Sequence, residues 1–512
     1  MNDLAFAGTD GVVVLIAYAV VMLAIGYFAG RDRPGAGKSM RGYYLAGGGL
    51  GFVALFFTLY ATQYSGNAVV GYAPTAYRSG FSWWQSVPFM TGIIAVYLLF
   101  APRLYVVAKR EGFVTPVDWI RHRFNSTPTA ILATGLMLWG LGNYLLEQLV
   151  AMGQATSGLT GDTVPYQASV LAFVVVMLVY SWVGGMRAVA LTDVMQGIAL
   201  LIGIFALLFG ALYLVGGDLG SVTEHLRETD PAKVGVPEFD VSLNWLSMIV
   251  LIGFGAAMYP HAIQRIYAAR SERTLKRSLA GMAWMPLVTT GVVFVIGIIG
   301  IQLIPGMSEG ESEQLVGKMA NQVADINVFF YIIMILFFGG VVAAIVSTAD
   351  SALLSFSSLI SKDIYARHIG PDTSERRQVL VGKVVGVLAI GVLLLLAWNP
   401  PSTLYDIFVL KMELIAQLAP AFILGLYWRR LSAWPVFAGM ATGALLAGIL
   451  TIAGSDGWHG IPGGLIGLGL NLAICVIGSL LLPNRDTGHA DTGKYVTPEA
   501  LATAPSMQEV RP

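Results

Sequence analysis

Long apolar runs separated by short polar turns dominate the chain, and thirteen of them approach the length of a membrane span. Crossing the hydrocarbon core takes about 20 mostly apolar residues. On that criterion helices are predicted near 11–29, 50–77, 82–102, 129–153, 166–184, 190–214, 243–263, 280–303, 326–356, 380–398, 403–427, 433–453 and 462–482. The second run departs from the pattern. "ATQYSGNAVVGYAP" (61–74) sets Thr62, Gln63, Tyr64, Ser65, Gly66 and Asn67 in succession at mid-depth, with Pro74 beyond Gly71. A helix in lipid must satisfy its own backbone, so this stretch predicts a helix that unwinds. Five helices later, "LIGFGAAMYPH" (251–261) repeats the device with Gly253, Gly255 and Pro260. Breaks at corresponding positions, five helices apart, point to two inverted units that share a mid-membrane site.

Composition agrees. Hydrophobic residues make up 56% of the 512, charged residues 12%, and mean hydropathy is +0.71; soluble domains carry about 25% charged residues. The expected class is an all-α polytopic membrane protein. No segment between spans is large enough for a soluble catalytic or signalling domain, and nothing suggests a nucleic-acid partner or an obligate protein partner. The six histidines are scattered, with no metal-ligand pair at i, i+4, so no enzyme is expected. Cys475 is the sole cysteine and excludes an internal disulfide. Run 11–29 follows Asp3 and Asp10 without a basic region, and reads as a retained span rather than a signal peptide.

The net charge of zero hides a loop asymmetry. With the N-terminus outside, every Lys and Arg except Arg78, Arg227, Lys233, Lys318 and Lys411 falls in a cytoplasmic segment, as the positive-inside rule requires. A miscounted helix would invert the pattern downstream, so thirteen spans in a cell membrane, with the C-terminus cytoplasmic, are expected. Residues 1–49 then form an extra helix and a first cytoplasmic loop, and 50–214 one five-helix unit. The 215–242 segment is an acidic extracellular loop, 243–427 the second unit, 428–483 two further helices, and 484–512 a disordered tail.

Helix 326–356 carries the chemistry. On a helix, residues three or four apart share a face, which aligns Ala344, Ser347, Thr348 and Ser351. One carbonyl and three hydroxyls make an oxygen-only set suited to a hard cation, and an unwound 50–77 helix would add carbonyls. Asp350 beside them, and Asp193 one turn into helix 190–214, are carboxylates in apolar runs, which usually mark function. Glu147, Lys411 and Glu413 are read as packing or outer-vestibule residues, and His261 as a cap at a cytoplasmic helix end.

Six stretches carry a family resemblance: "YYLAGGGLG" (43–51), "SGNAVVGYAPTAYRSG" (65–80), "SWVGGMRAVALTDVMQG" (181–197), "PHAIQRIYAARS" (260–271), "STADSALLSFSSLISKDIY" (347–365) and "QLAPAFILGLYWRR" (417–430). In this order they resemble the sodium/solute symporter family. The resemblance implies the leucine-transporter fold, with inverted five-helix repeats preceded by one extra helix and followed by two. It also implies a main sodium site at Ala61, Tyr64, Ala344, Ser347 and Thr348. A second sodium or proton site would involve Asp193, Asp350 and Ser351, with Asp350 standing where several relatives have serine.

Where proline-carrying members resemble "ASDMSGW", this chain has "ATQYSGN", and Ile252 replaces a tryptophan; this points away from proline. The expected solute pocket comprises Gln63, Ser65, Asn67, Phe254, Gln148 and Gln417, without a buried arginine. Half-helix N-termini can receive a carboxylate there. The reading is a sodium-coupled importer of a small organic acid such as a monocarboxylate, with pantothenate or an amino acid close behind. Proton coupling and a transporter-like solute sensor are the alternatives.

Overall fold

The computed structural model describes residues 39–400, 403–453 and 460–482, together with 11–13, 15–17, 20, 21 and 24. Most of the expected span 11–29 and all of the expected tail 484–512 therefore lie outside the described residues. Among those described, ten helices are long and apolar enough to cross a membrane, and Phe52–Gln63 and Tyr166–Val179 are shorter apolar stretches. The segments that position the site are α1 Phe52–Gln63, α2 Asn67–Val70, α3 Tyr72–Ser79, α4 Ser86–Glu111, α5 Thr127–Thr160, α6 Tyr166–Leu214, α7 Phe239–Ala257, α8 Pro260–Ala268, α9 Val328–Ser358, α10 Leu404–Ile415, α11 Ala433–Ile452 and α12 Gly463–Leu481. The turn expected between 184 and 190 is helical; that stretch holds no proline to interrupt the ladder.

Both expected breaks are present. At the end of α1, Tyr64 leaves helical geometry (φ −110°, ψ 69°). The ladder closes with Tyr64 N–H on the Tyr60 carbonyl at 2.8 Å and restarts with Ala68 N–H on Ser65 at 3.0 Å. Between α7 and α8 the break falls at Met258–Tyr259, where Pro260, the first residue of α8, has no N–H to continue the ladder. The acidic segment expected as a loop at 215–242 contains a helix, Leu219–Thr229, capped by the Asp218 carboxylate on Gly220 N–H at 2.8 Å.

Close backbone approach holds α9 in the middle. A Cβ on Gly340 would lie 2.9 Å from the Ala199 carbonyl carbon on α6, and one on Gly66 only 1.9 Å from Ile345 Cγ1. Small residues at such crossings let helices meet in lipid. Gly66 thus presses the α1–α2 break onto α9.

At the end read from sequence as cytoplasmic, α9 continues as a π-helix, Leu359–Ile369. At about 1.5 Å per residue the combined helix is roughly twice the hydrocarbon thickness, so this extension lies beyond the spanning part. Asp118, on the short helix Pro116–Phe124, receives Lys362 at 2.5 Å and Arg367 at 2.8 Å. Neighbouring Asp363 is buried, and loss of hydration pushes its carboxyl up to about 7, with the Asp118 charge adding to the effect. Its contribution to stability is present below the unfolded value near 4 and is lost as pH rises through about 7. We therefore expect the melting temperature to fall between pH 5 and pH 8, and Asp363→Asn to flatten that fall, by differential scanning calorimetry in detergent. A second expectation concerns the break. Gly66→Ala overpacks Ile345 and lowers stability by about 1–3 kcal/mol, read as a fall in melting temperature.

Candidate functional site

The break in α1 strands the carbonyls of its last turn, which no helical N–H can reach. Side chains from two other helices take their place. Thr348 of α9 donates its hydroxyl to the Ala61 carbonyl at 3.0 Å, and Tyr144 of α5 donates to the Thr62 carbonyl at 2.7 Å. Ala344, Ser347, Thr348 and Ser351 are all buried. Ser347 and Thr348 diverge: Thr348 faces the break, whereas the Ser347 hydroxyl donates to Asp193 on α6. Tyr64 lies within the break, its ring stacked on Tyr60 with centroids 4.8 Å apart. The Ala61 carbonyl and the Thr348 hydroxyl thus meet across the break, oxygens of the kind a hard cation takes.

Next to this set lies a fully buried charge cluster. Asp193 accepts from the Thr58 and Ser347 hydroxyls and stands 3.8 Å from the Arg265 guanidinium. Arg265 of α8 in turn donates to the Thr58 carbonyl at 3.1 Å, the His261 carbonyl at 2.8 Å and the Ser351 hydroxyl. Arg265, expected in a polar segment between spans, is instead buried within a helix, though not among the residues that line the cavity beside the break. Arg265 lies one turn past the α7–α8 break, and α8 carries it inward, where Asp193 compensates its charge. Two members of the second set read from sequence share this cluster. Asp193 and Ser351 meet through Arg265, while Asp350, buried, is about 100° round the helix from Ser351.

A narrow cavity adjoins the break, lined among others by Gln63, Ser65, Tyr72, Tyr144, Glu147, Tyr259 and Phe408. Its free volume of about 10 Å³ holds roughly one water molecule. Gln63 donates to the Tyr97 hydroxyl at 2.7 Å. Asn67 opens α2, and its side chain is outside the described set. Phe254, Gln148 and Gln417 are not among the lining residues. Phe254 is half-buried against the core, and Gln148 turns its amide to the Tyr144 carbonyl at 3.4 Å. Gln417 donates to the Glu413 and Gly464 carbonyls at 3.0 and 2.9 Å and accepts from Asn471. It is held at the α11–α12 packing seam, where Gly443 and Gly467 leave room for an amide.

Two features have no signature in the sequence pattern. Lys411 of α10 donates to Glu147 of α5, both buried, although 264 positions separate them. Its ammonium lies 4.0 Å from the Tyr144 ring centroid, 4.9 Å from Phe408 and 5.5 Å from Tyr259. Each charge alone resembles a vestibule residue; only the fold brings them together. His261, read as a helix cap, is fully buried in a cluster of three rings with Tyr144 and Tyr259, their centroids 4.9 and 5.1 Å from its own.

Paired broken helices beside a small cavity, in a bundle of helices long and apolar enough to cross a membrane, are the architecture of a multi-pass helical transporter. The chain belongs to the sodium:solute symporter family, whose model matches residues 43–443. Sodium is the coupling ion of that family. The sodium/pantothenate symporter of Escherichia coli K12 is 28% identical over 477 residues, 91% of this chain and 95% of its own length. The high-affinity proline transporter of Bacillus subtilis is also 28% identical, covering 85% of this chain and 90% of its own length. A substrate-bound, outward-open sodium-coupled sialic acid symporter shares the fold, with a TM-score of 0.75 at 20% identity, over 93% of this chain and 98% of its own length. The nucleobase-cation-symport transporter Mhp1 aligns with a TM-score of 0.54 at 17% identity, over 88% of this chain and 98% of its own.

Breaking the Asp193–Arg265 pair tests the cluster. Asp193→Asn leaves Arg265 buried without its counter-charge and costs about 3–5 kcal/mol. The double variant Asp193→Asn/Arg265→Gln recovers at least half of that loss in a thermal-unfolding double-mutant cycle.

Proposed function

We propose that the protein is a sodium-coupled importer of a small organic acid, a monocarboxylate or a related acid, working by alternating access. The proposed frame is thirteen spans, N-terminus outside and C-terminus cytoplasmic, with inverted five-helix units at 50–214 and 243–427. Sodium binds first, at the Ala61 and Tyr64 carbonyls, the Ala344 carbonyl and the Ser347 and Thr348 hydroxyls. It orders the α1–α2 break against α9, and so completes the adjoining pocket at Gln63, Ser65 and Asn67. Rocking of one unit against the other then exposes both to the cytoplasm.

The observation that carries this reading is the Thr348 hydroxyl on the Ala61 carbonyl at 3.0 Å. It joins two of the proposed ligands across the break, directly beside the cavity.

The test is radiolabelled uptake into proteoliposomes under an imposed sodium or proton gradient, with carboxylates, pantothenate and amino acids as solutes. Sodium-driven accumulation is expected, and Ser347→Ala or Thr348→Ala is expected to raise the half-saturating sodium concentration by about tenfold, the worth of one lost ligand bond of roughly 1.4 kcal/mol. Unchanged sodium dependence sinks the site. Accumulation driven by protons alone supports the proton-coupled variant, and altered expression without accumulation in cells supports a sensor.

A further inference from the structure

The Lys411–Glu147 pair has no role in the sodium cradle, and packing does not account for it. Both side chains are at most 1% exposed. A buried ion pair contributes little over an apolar pair of the same volume, and charges within a membrane span are costly. Yet this pair sits at the cavity wall. Glu147 lines the cavity, and so do the three rings, Tyr144, Tyr259 and Phe408, that enclose the Lys411 ammonium. The wall thus holds a carboxylate and an aromatic cage, the two groups that recognise a positive nitrogen, and both are occupied by a cation tethered to the chain.

A solute larger than one water must displace something from this cavity. A carboxylate that draws Lys411 away strips Glu147 of its partner and leaves a negative charge buried alone. A solute that also carries a positive nitrogen avoids this. Its carboxylate takes Lys411, its nitrogen takes Glu147 and the vacated aromatic faces, and one internal ion pair becomes two with no charge left over.

We propose that Lys411 and Glu147 form the specificity element of the solute site and select a zwitterion, a small carboxylic acid bearing a positively charged nitrogen. The proposal rests on the cavity being the solute site of the symporter, and narrows the organic acid to that class. Lys411 is the carboxylate receptor and Glu147 the nitrogen receptor, and their mutual pair keeps the empty site charge-balanced.

The experiment compares zwitterions with isosteres lacking the charged nitrogen, on the full chain in proteoliposomes and in detergent. The set is the twenty amino acids and glycine betaine, against monocarboxylates of equal size such as cyclopentanecarboxylate for proline and 3,3-dimethylbutyrate for betaine. The readouts are sodium-dependent uptake and ligand-induced thermal stabilisation. At least one zwitterion is expected to bind roughly 100-fold more tightly than its isostere, the scale of an unpaired buried charge. Glu147→Gln is expected to reduce that ratio below about tenfold, and Lys411→Met to abolish binding of both, while stabilisation by sodium alone persists and reports a folded protein. If either single variant fails to fold, the double variant Glu147→Gln/Lys411→Met, which leaves neither charge of the pair, is expected to be stabilised by sodium and by neither member of a ligand pair; stabilisation by a zwitterion as in the unmodified chain overturns the proposal. Sodium-driven uptake of a monocarboxylate with no preference for its zwitterionic isostere overturns the proposal and leaves sodium symport standing. Stabilisation by none of the zwitterions overturns it as well.

Discussion

A backbone that crosses lipid must place each of its hydrogen bonds within the protein, and this chain interrupts the helical ladder in two apolar helices. The arrangement around each break is set by how the stranded groups are satisfied. The carbonyls of Ala61 and Thr62 take hydroxyls from Thr348 and Tyr144, which belong to helices far away in sequence. The break is consequently held by α9 on one side and α5 on the other, and Gly66 leaves room for the Ile345 side chain of α9. An ion able to replace a hydroxyl donor at Ala61 acts on the same atoms that decide whether the break is ordered.

Two buried ion pairs flank the break and use a common logic. Arg265 is a cation tethered beside the hydroxyls of α9, and Lys411 is one tethered beside the cavity. Each balances a carboxylate that would otherwise be stranded at low dielectric. Neither is strong evidence for stability, since desolvation offsets most of the Coulomb attraction. Their common effect is to keep the region neutral while it presents groups that a mobile ion or solute can claim.

The breaks were legible in the sequence because their cause is local. Glycines, Pro260 and a polar run conflict with the helical ladder wherever they occur, and the ladder stops at Tyr64 and Met258 as expected. The stripe of Ala344, Ser347, Thr348 and Ser351 was legible because helical periodicity is fixed. The charge pairs were not. Glu147 and Lys411 are brought together by packing of α5 on α10, and no spacing rule connects positions 264 apart. Arg265 was misplaced for a related reason. A positive residue just past a break resembles a loop charge until the second half-helix is seen to turn it inward towards Asp193. Gln417 erred in the opposite direction: a buried amide suggests a ligand, yet packing of α11 and α12 satisfied it with carbonyls and Asn471.

Coupling in the proposed mechanism arises from shared atoms. Thr62 and Gln63 are consecutive residues at the end of α1; the carbonyl of one is held by Tyr144, and the side chain of the other lines the cavity whose wall Tyr144 also forms. Ala61, immediately before them, is held by Thr348. A cation that fixes Ala61 against α9 thereby fixes the position of Gln63 and Ser65 in the cavity, and a solute that fixes Gln63 restricts Ala61. The coupling is reciprocal, as linkage requires, and its size equals the difference in affinity that each ligand has for the ordered and disordered break. Because three consecutive residues transmit it, no long pathway through the bundle is needed. The enclosed volume of about 10 Å³ also means that a solute of any useful size must shift side chains at this joint to be accommodated.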